Sequence, residues 1–135
     1  MGYHATGRGV ISIPSIYRKK LSLKVRMMLN NTEAMRGGSW SNGIKTDHWY
    51  AWVDSKSLIS ACKENNLEKI FGCWGFDCVN TEEDIYQVFY DSKSGQESLF
   101  LKEISPFVVN GIIEWVGEDG SKWKNVFKQG QMKVF

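Results

Sequence analysis

The chain lacks the features by which several classes of protein are recognised from sequence alone. No apolar run approaches the roughly 20 residues that a membrane-spanning helix needs, and the opening residues have no apolar core of a secretory signal. The 135 residues include only two prolines and three cysteines, an odd number. We therefore expect a soluble protein without a disulfide framework, in a reducing compartment.

What the chain does contain is typical of a single folded domain. Hydrophobic residues make up 42% of the sequence and aromatic residues 13%. A chain of this length buries a sizeable core without help from metals or disulfides. No internal repeat, low-complexity tract or long linker divides it, so we predict one domain over residues 1–135.

The first part of the chain predicts a strand, a helix, a loop and a second strand. β-Branched residues between two glycines and Pro14 predict a strand over residues 3–13, with Gly7 and Gly9 suited to a bulge. Residues 15–35 fit a helical face, although Leu21, Leu23 and Val25 also alternate as in a strand; we predict helix. Turn-forming residues 36–43 predict a mobile loop around Trp40, and residues 47–53 predict a strand.

The second part predicts two helices and further strands. A helix capped by Asp54 or Ser55 has one apolar face, formed by Leu58, Ile59, Cys62, Leu67, Ile70 and Phe71. Short strands are expected within residues 72–79 and over 85–90, followed by a polar turn at 91–95. The capping box from Ser94 to Glu97 predicts a helix through Ile104 that Pro106 ends.

The C-terminal segment predicts a β-hairpin together with its register. Glu118-Asp119-Gly120 suits a three-residue loop, in which Gly120 takes a positive φ. Counting outward from this loop places Trp115 opposite Trp123 and Glu114 opposite Lys124, which are favourable pairs. A third strand near Met132 completes a meander. Together these elements predict an α+β fold with helices on one face of a mainly antiparallel sheet.

No catalytic, metal or cofactor signature stands out, so we predict a protein that is not an enzyme and has no cofactor. Cys73-Trp74 matches only a dipeptide of the papain-type nucleophile, and His48 beside Asp47 is in the wrong order for its base. Cys73 and Cys78 with His4 or His48 lack the spacing of a zinc site. Met1–Thr6 fits the bare N-myristoylation pattern, but Tyr3 after the acceptor glycine is unfavourable, and we expect no membrane partner.

Charge is unevenly distributed along the sequence. Residues 1–50 carry eight Lys or Arg against two Asp or Glu, a net charge of +6, whereas the remainder carries nine against thirteen, a net charge of −4. The basic half could face an acidic partner or fold back on the acidic half of the same chain. The candidate partner-binding residues are Arg18, Lys19, Lys20, Lys24, Arg26, Arg36 and Trp40.

The two ends of the chain carry a family resemblance. The opening segment Met1–Gly9 with Ile11, and the hairpin motif Gly117-Glu-Asp-Gly120 with Trp123 and Phe127, resemble a group of small uncharacterised proteins encoded by bacteriophages and prophages. The shared motifs are structural, so they imply a common fold and phage origin and carry no catalytic residue. Residues 15–46 depart from the pattern, and a specific activity is expected there.

Phage origin implies a function. Small accessory phage proteins often bind and block a host machine, as anti-CRISPR and other anti-defence inhibitors do. We therefore expect a non-enzymatic inhibitor of a host protein in the bacterial cytoplasm, for instance of a nucleic-acid-processing complex. The alternative is a nucleic-acid-binding accessory protein that uses the basic 8–45 segment, and a small enzyme is the third hypothesis.

Overall fold

A computed structural model describes residues 3–28, 36–41, 44–49, 55–93 and 96–135, with the backbone alone at 28, 36–41, 44–49, 55, 93 and 96. The strands are β1 (His4–Ser12), β2 (Arg36–Ser41), β3 (Ile44–Trp49), β4 (Phe76–Glu82), β5 (Ile85–Lys93), β6 (Asn110–Gly117), β7 (Lys122–Lys128) and β8 (Gln131–Val134). The helices are α1 (Arg18–Met28), α2 (Ser55–Lys63), α3 (Leu67–Cys73) and α4 (Gln96–Ile104), with 3-10 turns at Ser15–Tyr17 and Ser105–Phe107.

Six strands form one antiparallel sheet in the order β4-β5-β1-β6-β7-β8, and β2 pairs with β3 in a separate two-stranded sheet. Alternate residues of the large sheet are buried, as Ile11, Tyr90 and Trp115 are, beneath a layer of helices. The predicted α+β fold is therefore confirmed.

The N-terminal strand β1 lies in the centre of the large sheet, and its glycines allow close packing. It pairs without interruption with β5 on one side and with β6 on the other, so the bulge expected at Gly7 and Gly9 does not form. A Cβ on Gly9 would lie 2.0 Å from the Ile112 carbonyl oxygen, and one on Gly7 would lie 2.6 Å from the Trp115 ring. The glycines are needed because neighbouring groups occupy the space of a side chain.

The hairpin of β6 and β7 confirms the predicted register. Trp115 pairs with Trp123 and Glu114 with Lys124. The Gly117 N–H donates to the Ser121 carbonyl at 2.7 Å, and Gly120 has a φ of 84°. The tryptophan rings stack with centroids 6.1 Å apart and an interplanar angle of 5°. Strand β8 completes the expected meander.

The predicted apolar helix face is confirmed, but two helices share it. Helix α2 ends just before Asn65, which has a φ of 52°. The Asn66 side chain then caps α3 by accepting a hydrogen bond from the Lys69 N–H at 3.1 Å. An asparagine tolerates the left-handed conformation and caps helices well, so this pair breaks the run while Leu58 and Ile70 still face one core.

An aromatic cluster joins the helices to the sheet. The Phe100 ring stacks on Trp74, with centroids 5.2 Å apart, and meets Phe71 edge to face at 5.0 Å. Phe76 of β4 then contacts Phe100 at 6.1 Å and Tyr90 at 5.0 Å. Trp74, Tyr90, Phe71 and Phe100 are among the largest fully buried side chains of the described residues, so this cluster contributes a large part of the hydrophobic stabilisation.

Other predicted boundaries need correction. The helical interpretation of residues 15–35 is confirmed by the 3-10 turn and α1 as far as Met28, and residues 29–35 lie outside the described ranges. Strand β5 continues through residues 91–93, where a turn was predicted. The mobile loop predicted at 36–43 is wrong, because residues 36–41 form strand β2. Two further predictions lie outside what the structure describes. They are the helix caps at Asp54, Ser55 and Ser94, and residues 50–53 of the predicted strand.

Candidate binding surfaces

Helix α1 brings five of the predicted partner-binding residues together. Lys19, Lys20, Lys24 and Arg26 are exposed, whereas Leu21, Ser22 and Val25 are buried against the rest of the fold. At 3.6 residues per turn, Lys19 and Arg26 lie on one side of the outward face, and Lys20 and Lys24 lie on the other.

Exposed apolar side chains lie among these cations. Ile16, Leu23 and Met27 are 77%, 51% and 64% exposed. Leu23 follows Lys19 and Lys20 by four and three positions, Met27 follows Leu23 by four, and Ile16 precedes Lys19 and Lys20 in the 3-10 turn that leads into α1, so all three lie on the same outward face. We call Ile16, Lys19, Lys20, Leu23 and Met27 the α1 surface. Three large apolar residues on one exposed helical face are more than the scattered single exposures that are normal for a protein surface.

Two of the predicted contact residues have structural partners. Arg18 is half-buried, and its guanidinium Nη2 donates to the Glu83 carbonyl at 3.4 Å, which ties α1 to the turn between β4 and β5. Lys24 Nζ lies 3.5 Å from Glu103 Oε2 on α4. Both residues therefore help to fix α1 on the domain, and among the side chains that the structure describes no ion pair or hydrogen bond holds Lys19, Lys20 or Arg26.

Arg36 and Trp40 are placed on β2, opposite Trp49 and Lys45 of β3. The loop assignment overlooked this pairing because glycine and serine fill the strand. A better signal was available, since Asn42-Gly43, the pair most typical of a two-residue hairpin loop, separates the two strands. The backbone thus places these two residues on a separate sheet from the helix that carries the other five.

A second surface was missed by the sequence reasoning. On the six-stranded sheet, the face opposite the helices holds exposed apolar residues on four neighbouring strands: Val79, Phe89, Val10, Ile112 and Val116. In the described part of the chain nothing covers them, and a groove of about 990 Å³ crosses this side of the sheet. We call this side the open face. The signal was the alternation along β1, where Thr6, Arg8 and Val10 point away from the core.

Among the described side chains, the charges on the open face are separated by sign. Asp77 and Asp91 lie on β4 and β5, whereas the alternation of β7 and β8 places four lysines at the opposite side: Lys122, Lys124, Lys128 and Lys133. Arg8 and Glu114 face each other at the centre, on β1 and β6. Asp91 also bonds to the His4 ring, and that hydrogen bond lowers the pKa of its carboxyl group.

The cysteines are free thiols, and two of them are shielded. Burial raises the pKa of Cys62 to about 11 and that of Cys78 to about 12, so both remain protonated at neutral pH. The side chains of Asp47 and His48 lie outside the described set, so their convergence with Cys73 stays untested. Within the described ranges, no three His, Cys, Asp or Glu side chains are grouped to hold a metal ion.

The fold and these surfaces define a two-layer α+β domain with an apolar-basic helix on the outside of one layer and an open face on the other. None of the helices in the described ranges is long and apolar enough to cross a membrane. No protein-family model, no curated protein and no solved structure matches the chain.

Proposed function

We propose that this is a phage-encoded, non-enzymatic binding protein that inhibits or modulates a host protein in the bacterial cytoplasm, in the manner of anti-defence and anti-CRISPR inhibitors. The phage origin rests on the resemblance of the two ends of the chain to phage proteins. The mode of action rests on the α1 surface, and Arg36 and Trp40 remain proposed contacts alongside it.

The observation that supports a protein partner is the mixture of residues on the α1 surface. Leu23 and Met27 offer apolar area that a partner can desolvate, and Lys19 and Lys20 surround it with positive charge. Protein interfaces combine a desolvated apolar centre with a polar rim in this way. A surface that only neutralised phosphates would gain little from exposed leucine and methionine.

The positive charge of the α1 surface also indicates the charge of the partner's surface. Lysine and arginine steer association toward a surface of opposite charge, so the host protein, for instance part of a nucleic-acid-processing complex, should offer an acidic patch. Nucleic acid itself is the second candidate, because four exposed cations on one helix would also contact a phosphate backbone. The two candidates differ in how strongly binding depends on salt.

The test is capture of partners from bacterial host lysate on the tagged full-length chain, before and after nuclease treatment. We expect a stoichiometric host protein that survives nuclease and is retained at about 0.3 M salt, where phosphate contacts are strongly weakened. Leu23→Asp should abolish its capture. Val134→Asp is the matched control, because Val134 is equally apolar and 62% exposed but lies on β8.

Two results would contradict the proposal. Loss of every partner on nuclease digestion, with a steep salt dependence that Lys19→Glu and Lys20→Glu reduce, would favour the nucleic-acid-binding alternative. Equal loss of capture in Leu23→Asp and Val134→Asp would show that the α1 surface is not the contact.

A further inference from the structure

The open face has an apolar centre that spans most of the sheet. One row of residues runs across five neighbouring strands, and each residue of the row pairs with the next: Val79, Gln87, Val10, Ile112 and Val126. Val10 is 47% exposed and Ile112 is 45% exposed, although both lie on the two central strands. Central strands are usually the best covered part of a sheet, so this row is suited to burial against another surface.

The charge pattern around this row is complementary to that of a second, identical face. Carboxylates lie on the β4–β5 side and lysines on the β7–β8 side, and Arg8 and Glu114 flank the midline between β1 and β6. Among the described residues no ion pair within 4.0 Å joins Arg8 and Glu114. Each is therefore available to a group of opposite charge that approaches from above the face.

We propose that the open face is the interface of a homodimer, in which a second copy packs face to face about a two-fold axis that runs parallel to the strands between β1 and β6. Such an axis places β4 over β8 of the second copy, β5 over its β7, and β1 over its β6. Arg8 then meets Glu114 of the second copy, and Val10 meets its Ile112. The acidic side of each sheet covers the lysine-rich side of the other.

The charge pattern selects this axis over the other two-fold axis that would keep the strands of the two sheets aligned. An axis perpendicular to the strands would place β7 over β7 and bring the lysines of the two copies together, and such a juxtaposition of like charges disfavours that arrangement. The chosen arrangement keeps the strands of the two sheets nearly aligned. Two sheets with the same twist pack face to face in this way at about 30° in β-sandwiches.

The area of the face is sufficient for a specific dimer. Five strand spacings of about 4.8 Å and strands of about eight residues at 3.3 Å per residue give a projection of roughly 600 Å². The accessible area of a surface covered with side chains exceeds its projection, so each copy would contribute close to the about 800 Å² of a standard interface. The α1 surfaces would then lie on opposite outer sides of the dimer, free to bind.

The experiment is sedimentation velocity of the full-length chain at concentrations up to about 200 μM, because dimer formation is set by protomer concentration. We expect a species of twice the 15.5 kDa chain mass. Arg8→Glu and Glu114→Arg should each weaken self-association at least about tenfold, because each brings like charges together across the axis. Lys19→Glu, a charge reversal on the α1 surface, is the matched control and should leave the dimer intact.

Mixing the two weakened variants provides the decisive measurement. In a mixed dimer, the glutamate introduced at position 8 of one copy meets the arginine introduced at position 114 of the other. The unchanged Glu114 of the first copy meets the unchanged Arg8 of the second, so both pairs become attractive. The mixture should regain the dimer mass that neither variant forms alone, which also shows that both variants fold. A wild-type chain that stays at 15.5 kDa throughout, or a mixture that stays monomeric, would overturn the proposal.

Discussion

The two faces of the six-stranded sheet are built from alternate residues of the same strands, yet they differ in what holds them in place. Tyr90 and Trp115 on the covered face are almost completely buried and meet each other edge to face, whereas Phe89 and Ile112 on the open face remain 37% and 45% exposed. The covered face therefore determines stability. The open face can change with little effect on folding, which leaves it available for recognition.

The largest expected difference between the faces is in the response to losing an aromatic ring. Phe100→Ala removes a fully buried ring that packs between Trp74 and Phe71, and should lower the free energy of unfolding by about 3–5 kcal/mol. Phe89→Ala, the matched change on the open face, should cost less than about 1 kcal/mol. Urea denaturation at one protein concentration measures both, and equal losses would show that the open face is part of the core.

Backbone proximity gives the next largest effect. Gly9→Ala places a methyl group against the Ile112 carbonyl, which is backbone and cannot move aside, so we expect a loss of about 2–3 kcal/mol. Gly72→Ala, in helix α3 with nothing within 4 Å of the added methyl group, should instead stabilise by about 0.5–1 kcal/mol. Thermal unfolding of the two variants should therefore shift in opposite directions, and a shift in the same direction would mean that β1 can move away from β6.

These glycines illustrate how much of the fold can be predicted from the sequence. The β6–β7 register followed from local turn chemistry at Glu118-Asp119-Gly120, and the helix faces followed from periodicity. The roles of Gly7 and Gly9 depend on Ile112 and Trp115, more than 100 residues away, and no local rule indicates such contacts. Local reasoning therefore assigned them a bulge.

The same difference between local and long-range information applies to the candidate surfaces. The cations of α1 were predicted because they are adjacent in sequence and one helix gathers them. The open face was missed because it combines residues of six strands, and only the topology shows which side the helices cover. The strand β2 was missed for another reason: its glycines and serines have low strand propensity, although its backbone pairs with β3.

A buried hydrogen bond distinguishes neighbouring residues of β7. The Trp115 indole N–H donates to Asn125 Oδ1 at 2.6 Å on the covered face. Asn125→Ala leaves that donor buried without a partner, which should cost about 1–2 kcal/mol. Lys124→Ala changes the adjacent residue on the open face and should stay within about 0.5 kcal/mol of the wild type. If chemical denaturation gives the two variants the same midpoint, water must reach the indole and the covered face is less closed than described.

The smallest expected difference concerns pH. On the helix side of the sheet, burial raises the pKa of Cys62 to about 11 and those of Cys78 and Tyr90 to about 12, above the ordinary 9.0 of a thiol and 10.0 of a tyrosine. Between these values the unfolded chain releases protons that the folded chain retains. The stability that these groups contribute is complete below pH 9 and declines as pH rises toward 12. Unfolding midpoints measured from pH 8 to 11 should fall, and Cys78→Ala should make the fall shallower. Lys122→Ala on the open face should leave the slope unchanged; if it flattens the slope as much as Cys78→Ala does, the alkaline loss comes from surface charge rather than from the buried groups.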